Sequence, residues 1–357
     1  MISPPTHTIL VTGGAGFIGS NLVRFILEHR PHARVINLDA LTYSGNPDNL
    51  ADLADNPRYR FVHGDIRDID LVTDLIAEAD AILHLAAESH VDRSILDARP
   101  FVETNVLGTQ TIIDALRRAD PRNTKRLVHV STDEVYGQLP LDQPHLKFTE
   151  DTPLNPSSPY AASKAGADML VAAAHHTFAI NACITRCSNN FGPYQFPEKV
   201  IPLFITNLLE GRKVPLYGDG RNVRDWIHVH DHCDALLAVL DRGQPGRTYN
   251  IGGHNERSNL ELTHAILDAM HLGHDMIEHV PDRPGHDRRY AIDASRIANE
   301  VGFHPTRSAW PDALHETINW YVNNPQWCQR VRSGAYREYY ERQYNQRGQE
   351  TATDEHG

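Results

Sequence analysis

Cysteine is scarce in this sequence of 357 residues: there are four, Cys183, Cys187, Cys233 and Cys328, with no CxxC pair. That spacing excludes a disulfide framework and a thiolate metal cluster, and it fits reduced thiols in a cytoplasm. Long hydrophobic runs are missing too. No stretch of about 18 apolar residues occurs, and Met1 to Thr8 lacks the charged region and apolar stretch of a secretory leader. Membrane spanning and secretion are therefore not expected, and a cytoplasmic location is. Positive charge is in deficit, with 34 Lys and Arg against 46 Asp and Glu, a net charge of -12. Sequence-independent binding to nucleic acid needs a basic surface to displace counterions, so a nucleic-acid partner is excluded. An anionic ligand must instead meet local cations.

Histidine is abundant, at 22 residues, and His228, His230 and His232 alternate, which on a strand would put them on one face. No carboxylate-rich second cluster accompanies them, so no metal is expected there. Nor does any internal repeat stand out.

Short apolar runs recur: TILVT (8–12), ARVINLD (33–39), YRFVHGD (59–65), DAILHLAA (80–87), KRLVHVST (125–132) and NACITRC (181–187). Helical patterns lie between most of them, including Phe17 to Glu28, Glu103 to Ala119 and Pro159 to Phe178. Parallel connections need crossovers long enough for a helix, so this alternation predicts an α/β fold with a doubly wound parallel sheet. After about residue 190 prolines and loops increase, and isolated helices at Leu203 to Glu210 and Asn259 to Met270 predict a smaller, mainly C-terminal substrate domain. The expected division is 1–190 and 191–345, with parts of 225–255, including TYNIGG (248–253), returning to the first. Residues 346–357 read as a frayed polar tail.

TGGAGFIGS places Gly13, Gly16 and Gly19 at GxxGxxG spacing between a strand and a helix. Such glycines tighten the turn and admit a pyrophosphate to the backbone, where the helix N-terminus offers unpaired N–H groups. Asp39 follows Gly19 by 20 residues, at the end of the second strand, where a carboxylate accepts from an adenosine ribose. It would repel a 2′-phosphate, and Ala40 to Ser44 hold no cation, so NAD is favoured over NADP.

Tyr160 and Lys164 in SPYAASKAG stand four apart on one helix face. An ammonium beside a phenol stabilises the phenolate, making tyrosine a base near neutrality, although the spacing alone also fits a solvated helix face. STDEVYG sets Thr132, Asp133 and Glu134 at a strand end. Two carboxyl groups can divide acid and base work if their environments separate their pKa values. Oxidising and reducing one carbon needs neither group; eliminating water needs both.

Several independent segments, HLAAESHVDRS, STDEVYG, SPYAASKA, CSNNFGPYQFPEKVIP, NVRDWIHVHDH, YNIGGHNE and DRPGHDRRYAID, resemble the nucleotide-sugar 4,6-dehydratases of the extended short-chain dehydrogenase/reductase family. The resemblance runs from about Thr8 to Tyr339. It implies a Rossmann-type sheet, an NAD-dependent lyase, a nucleotide-sugar substrate and a homodimer built on the Glu103–Ala119 and Tyr160 helices. The former carries Val106, Leu107, Ile112, Ile113 and Leu116. It also implies a hydride-transfer site at Thr132, Tyr160 and Lys164, with Glu134 as base and Asp133 as acid. Implied cofactor contacts, beyond Gly13, Gly16, Gly19 and Asp39, are Phe17, Ile18, Ala40, Leu41, Thr42, Asp65, Ile66, Leu85, Ala86, Ala87, Ser89, Thr104, Tyr160, Lys164 and Asn190. For the substrate it implies Ser89, Thr132, Asn189, Lys199, Val200, Ile201, Pro202, Leu203, Phe204, Pro215, Leu216, Tyr217, Arg224, Asn259, Asp282, Arg283, Pro284, Gly285 and His286. Ala40 departs from the lysine common in the family, and the stretch between Gly137 and Phe148 is short. A related dehydratase, a 4-epimerase and a nonenzymatic dinucleotide sensor remain the alternatives.

Overall fold

The computed structural model describes residues 7–283 and 285–332; Pro284 and the expected tail at 346–357 lie outside the described residues. Seven strands form one parallel sheet: β1 (Thr8–Thr12), β2 (Arg34–Asp39), β3 (Tyr59–His63), β4 (Ala81–His84), β5 (Arg126–Thr132), β6 (Ala182–Cys187) and β10 (Thr248–Ile251). Their order is β10-β6-β5-β4-β1-β2-β3. The strand order reverses between β1 and β4, and a crevice opens there beyond the strand carboxyl ends, the usual ligand position in a Rossmann-type sheet.

Alternation across a strand explains why the runs are apolar without a break. Ile9 and Val11 join a core under the Phe17–His29 and Val229–Arg242 helices, while Leu10 joins another under the Ile69–Glu78, Thr109–Ala119 and Pro159–Phe178 helices. The Pro159–Phe178 helix starts where Ser158 accepts the Ala161 N–H, with Pro159 in its first turn, and it stops at left-handed Ala179. These local signals fix where Tyr160 and Lys164 stand.

The remaining strands are short. β7 (Asn189–Phe191), β9 (Val223–His228) and β11 (Glu256–Ser258) form one small sheet, and β8 (Val214–Tyr217) pairs with β12 (Ile277–Val280). With the Val200–Leu209, Asn259–Ala269 and Asp312–Asn323 helices they enclose a separate core around Phe191, Phe204, Trp226, Leu262, Leu314 and Tyr321. Ser258 and Glu261 form a capping box at the start of the Asn259 helix. Because β7 follows β6 directly, this second layer begins at the mouth of the crevice.

Three sequence expectations change. DAILHLAA ends as a strand at His84, which frees Leu85 to Ala87 to line the crevice. The helix expected from Glu103 extends back to Arg99 through a π-type segment, Val102–Gly108. Ile112, Ile113 and Leu116 are buried, but Leu107 is 55% exposed, so the expected apolar face is split. The three alternate histidines do not share a strand face: His228 ends β9, and His230 and His232 lie on the next helix, where His232 Nδ1 bonds Asn190 Oδ1 at 2.9 Å. Among the described residues no helix is long and apolar enough to cross a membrane, and all four cysteines are buried free thiols.

Candidate active site

The crevice begins at the turn after β1. Gly13 has φ +74°, and a Cβ there would lie 2.7 Å from the Ala86 backbone; a Cβ on Gly19 would lie 2.1 Å from the Gly13 carbonyl oxygen. Both contacts demand glycine. The following helix has Gly16 as N-cap, with no capping side chain and no acidic residue in its first turn. Its first N–H groups are thus left for an anion. Asp39 accepts the Ala15 N–H through Oδ2 and the Leu41 N–H through Oδ1, each at 2.8 Å. Burial raises its pKa and these two donors oppose the rise, while unused lone pairs remain for ribose hydroxyls. A dinucleotide fits this cradle.

The same continuous crevice is lined by Phe17, Ile18, Ala40, Thr42, Asp65, Ile66, Leu85, Ala86, Ala87, Ser89, Thr104 and Asn190, and then by Thr132, Asp133, Glu134, Tyr160 and Lys164. Of the expected cofactor set only Leu41 is not on its wall; Leu41 acts through the N–H it gives to Asp39.

Thr132 caps the short turn at Asp133–Tyr136. Its Oγ1 donates to Asp133 Oδ1 at 3.3 Å and accepts the Glu134 N–H at 3.3 Å. Asp133 is 2% exposed; burial first, then Glu134 and Asp225, push its carboxyl well above the usual range. Glu134 is also raised by burial, but Arg283, Lys199 and Arg224 pull it back. The two adjacent carboxyls therefore sit in unequal fields, Asp133 raised by burial, Glu134 and Asp225 and opposed by Arg224 alone among the cations, Glu134 opposed by three cations. That inequality suits an acid and a base.

Lys164 Nζ donates to the Val130 carbonyl at 2.8 Å. Burial lowers its pKa, and Asp168, one turn further along the helix, opposes that. Tyr160 departs from the expectation of a phenol already lowered towards neutrality. Burial, Glu134 and Cys187 raise it well above its ordinary value, with a Thr132 hydrogen bond the opposing influence. The YxxxK spacing conveyed the cation but not the enclosure.

Of the expected substrate set, Ser89, Thr132, Asn189 and Lys199 line the crevice, and Lys199 Nζ donates to the Ser89 carbonyl at 2.9 Å. The Asn189 Oδ1 is buried without a partner among the described residues. Ile201, Leu203, Phe204 and Leu216 are core residues, 3% exposed or less, while Val200 is half-buried and Pro202 buried in the same helix. Pro215 is a buried residue of β8. Tyr217 Oη donates to Asp92 Oδ2 at 3.2 Å, and Arg283 Nη1 donates to Asp92 Oδ1 at 2.9 Å. Arg224 is buried, lies 4.2 Å over the Tyr290 ring and donates to the Val223 and Asp287 carbonyls. His286 pairs with Asp282 at 2.6 Å, next to Gly285, and Asn259 opens its helix with its N–H on the Asn222 carbonyl.

Glu88, Cys187, Gln195 and Glu198 also line the crevice and were not anticipated. Glu88 and Glu198 each adjoin an expected residue, Ser89 and Lys199, inside the quoted motifs, which is the signal that could have found them.

A dinucleotide cradle continuous with a Thr-Asp-Glu and Tyr-Lys constellation defines a class, and the chain belongs to it: residues 10–310 match the GDP-mannose 4,6 dehydratase family. Within that class it is similar to dTDP-glucose 4,6-dehydratase of Streptomyces niveus, 51% identical over 91% of this chain and 96% of the relative. The crystal structure of a dTDP-glucose 4,6-dehydratase from Streptomyces venezuelae, solved with NAD bound, superposes with a TM-score of 0.87 at 50% identity, covering 91% of this chain and 99% of that one. UDP-glucose 4-epimerase from Thermotoga maritima, solved with UDP-glucose, shares the architecture at 25% identity and TM-score 0.81, covering 89% and 99%.

Proposed function

We propose that the chain converts dTDP-glucose to dTDP-4-keto-6-deoxy-glucose and water, using NAD as a resident cofactor. The observation that carries this reading is the unequal pair Asp133 and Glu134 at the end of β5, in one crevice with Tyr160 and Lys164. The names and identities of the relatives support the sugar nucleotide and the cofactor.

Bound NAD supplies a hydride acceptor at C4 and later a hydride donor at C6. Tyr160 takes the proton of the 4-hydroxyl, aided by the Lys164 charge. The resulting 4-ketone acidifies C5–H, and Glu134 removes that proton. Asp133, whose carboxyl burial raises, gives a proton to the departing 6-hydroxyl, so water leaves and a C5–C6 double bond forms. Glu134 then returns a proton to C5. Lys199, on the crevice wall, and Arg224 and Arg283 are the cations we assign to offset a diphosphate; all three also oppose the burial-driven rise of the Glu134 carboxyl.

This reading includes a division into a dinucleotide-binding part, 1–190 with parts of 225–255 returning, and a sugar-nucleotide part, 191–345, of which 333–345 lie outside the described residues. The separate core around Phe204, Leu262 and Leu314 supports it, and Trp226 of β9 belongs to that core while β10 joins the large sheet. It also includes a cytoplasmic location and a homodimer, the latter supported by exposed Val102 (48%), Leu107 (55%) and Met169 (59%) on the two expected helices or their extension. Incubation with a panel of sugar nucleotides and mass analysis tests the function. Loss of one water from dTDP-glucose is expected; a configurational change alone, or no turnover, would contradict it.

A further inference from the structure

The Pro47–Leu53 segment lies just past β2, and its Asn49 is 2% exposed without lining the crevice. The Asn49 Nδ2 donates to the Ala15 carbonyl at 3.0 Å, and its Oδ1 accepts from the indole Nε1 of Trp327 at 2.8 Å, a residue 278 positions later. An indole N–H can only donate. It therefore selects the amide orientation in which oxygen faces the ring, and this directs the NH₂ group at Ala15.

Ala15 sits inside the glycine turn. Its N–H goes to Asp39 at 2.8 Å, and its carbonyl accepts both Asn49 and the Asn46 N–H, the latter at 3.0 Å. The plane of the peptide between Ala15 and Gly16 is thus held from outside, immediately before the uncapped helix N-terminus. Trp327 is itself fixed: it is 5% exposed in the Pro325–Val331 helix, with Trp320, Tyr321 and Tyr194 edge-on around it at 5.1 to 6.1 Å. Arg330 of the same helix reaches Asp48 at 2.5 Å, so the helix grips this segment at two points.

We infer that Trp327 and Asn49 form a positioning relay for the dinucleotide turn, by which the last described helix tunes how tightly the cofactor is held. The inference rests on the dinucleotide reading of Gly13 to Gly19. Neither side chain touches the ligand. Trp327 orients Asn49, Asn49 orients the Ala15 carbonyl, and that peptide sets the N–H groups that meet the pyrophosphate.

The test uses the full chain and three variants, Trp327→Phe, Asn49→Asp and Asn49→Ala. Trp327→Phe keeps an aromatic ring in the cluster but removes the N–H. Asn49→Asp keeps an acceptor for the indole but cannot donate to Ala15. The dissociation constant of NAD is measured by calorimetry, that of dTDP is measured at saturating NAD, and Tm is recorded without ligand. NAD binding is expected to weaken about threefold to tenfold in Trp327→Phe and at least as much in both Asn49 variants, with dTDP changed less than twofold. Unchanged NAD affinity in Trp327→Phe and Asn49→Asp, beside a wild type that binds NAD, would overturn the relay. So would equal weakening of NAD and dTDP with a lowered Tm, which describes a structural prop. A wild type that binds no NAD would overturn the dinucleotide reading and the relay with it.

Discussion

Lys164 Nζ hydrogen-bonds the Val130 carbonyl at 2.8 Å, so the lysine of the Tyr160 helix is anchored to the strand that ends in Thr132. The anchor fixes a cation one helical turn from Tyr160, a phenol that burial and Glu134 drive strongly upward. Replacing Lys164 with Met removes the charge while keeping much of the volume. The C4 oxidation should slow about a hundredfold or more. Its rising pH limb should also move to higher pH, because the phenolate loses a stabilising neighbour. Single-turnover absorbance of the reduced nicotinamide across a pH series measures both effects.

Asp39 sets the cofactor preference. Its carboxylate lines the crevice at the end of β2, and no cation occupies Ala40 to Ser44. NADP should bind about tenfold or more weakly than NAD, since a 2′-phosphate would face that charge. Parallel titrations of both dinucleotides check this, and equal affinity would contradict it.

How much of this was open to the sequence depended on distance along the chain. The glycine turn, the Tyr160 to Lys164 spacing and the Asp133 to Glu134 adjacency are local patterns, and local patterns survive without a fold. The first six strands were likewise legible as apolar runs, with errors at their ends: β4 stops at His84 because Leu85 to Ala87 turn towards the crevice. The Lys164 bond to Val130 and the Trp327 bond to Asn49 were not legible, since they join residues 34 and 278 positions apart. The same applies to buried Asp168, which pairs with Arg186 of β6 at 2.9 Å behind Lys164, although its spacing four residues after Lys164 was visible. The split face at Leu107 depends on the π-type segment, which changes the angular step that a regular helical reading assumes.

Asp133 links catalysis to stability. Its folded pKa lies well above the ordinary carboxyl value, chiefly through burial. Above the unfolded pKa the folded chain therefore keeps a proton that the unfolded chain has released. Stability contributed by the protonated group is full below the unfolded pKa and is lost as pH rises through the folded one. Asp133→Asn should remove this dependence and stabilise the fold at neutral pH by about 1–3 kcal/mol, while water loss slows. Thermal unfolding of wild type and variant at several pH values measures it. A variant no more stable than wild type at neutral pH would contradict the assignment.

The dimer proposal turns on Leu107 and Met169, both exposed on helices that pack together, the Pro159–Phe178 helix against the Val102–Gly108 segment. Wild type should show a dimer mass by light scattering. Leu107→Asp with Met169→Asp should show a monomer that still melts cooperatively, because neither side chain belongs to the buried core. A concentration-independent monomer mass for wild type would contradict the proposal.

The central claim is that elimination at C5 and C6 is separate from oxidation at C4 and depends on Glu134 as the base. Glu134→Gln keeps the approximate shape and removes the carboxylate. The decisive measurement is a single turnover of dTDP-glucose by this variant, following reduced-nicotinamide absorbance and the mass of the sugar nucleotide together. The account predicts that absorbance rises and persists while 4-keto-6-deoxy product forms about a hundredfold or more slowly than in wild type. Undiminished product formation from Glu134→Gln would contradict it.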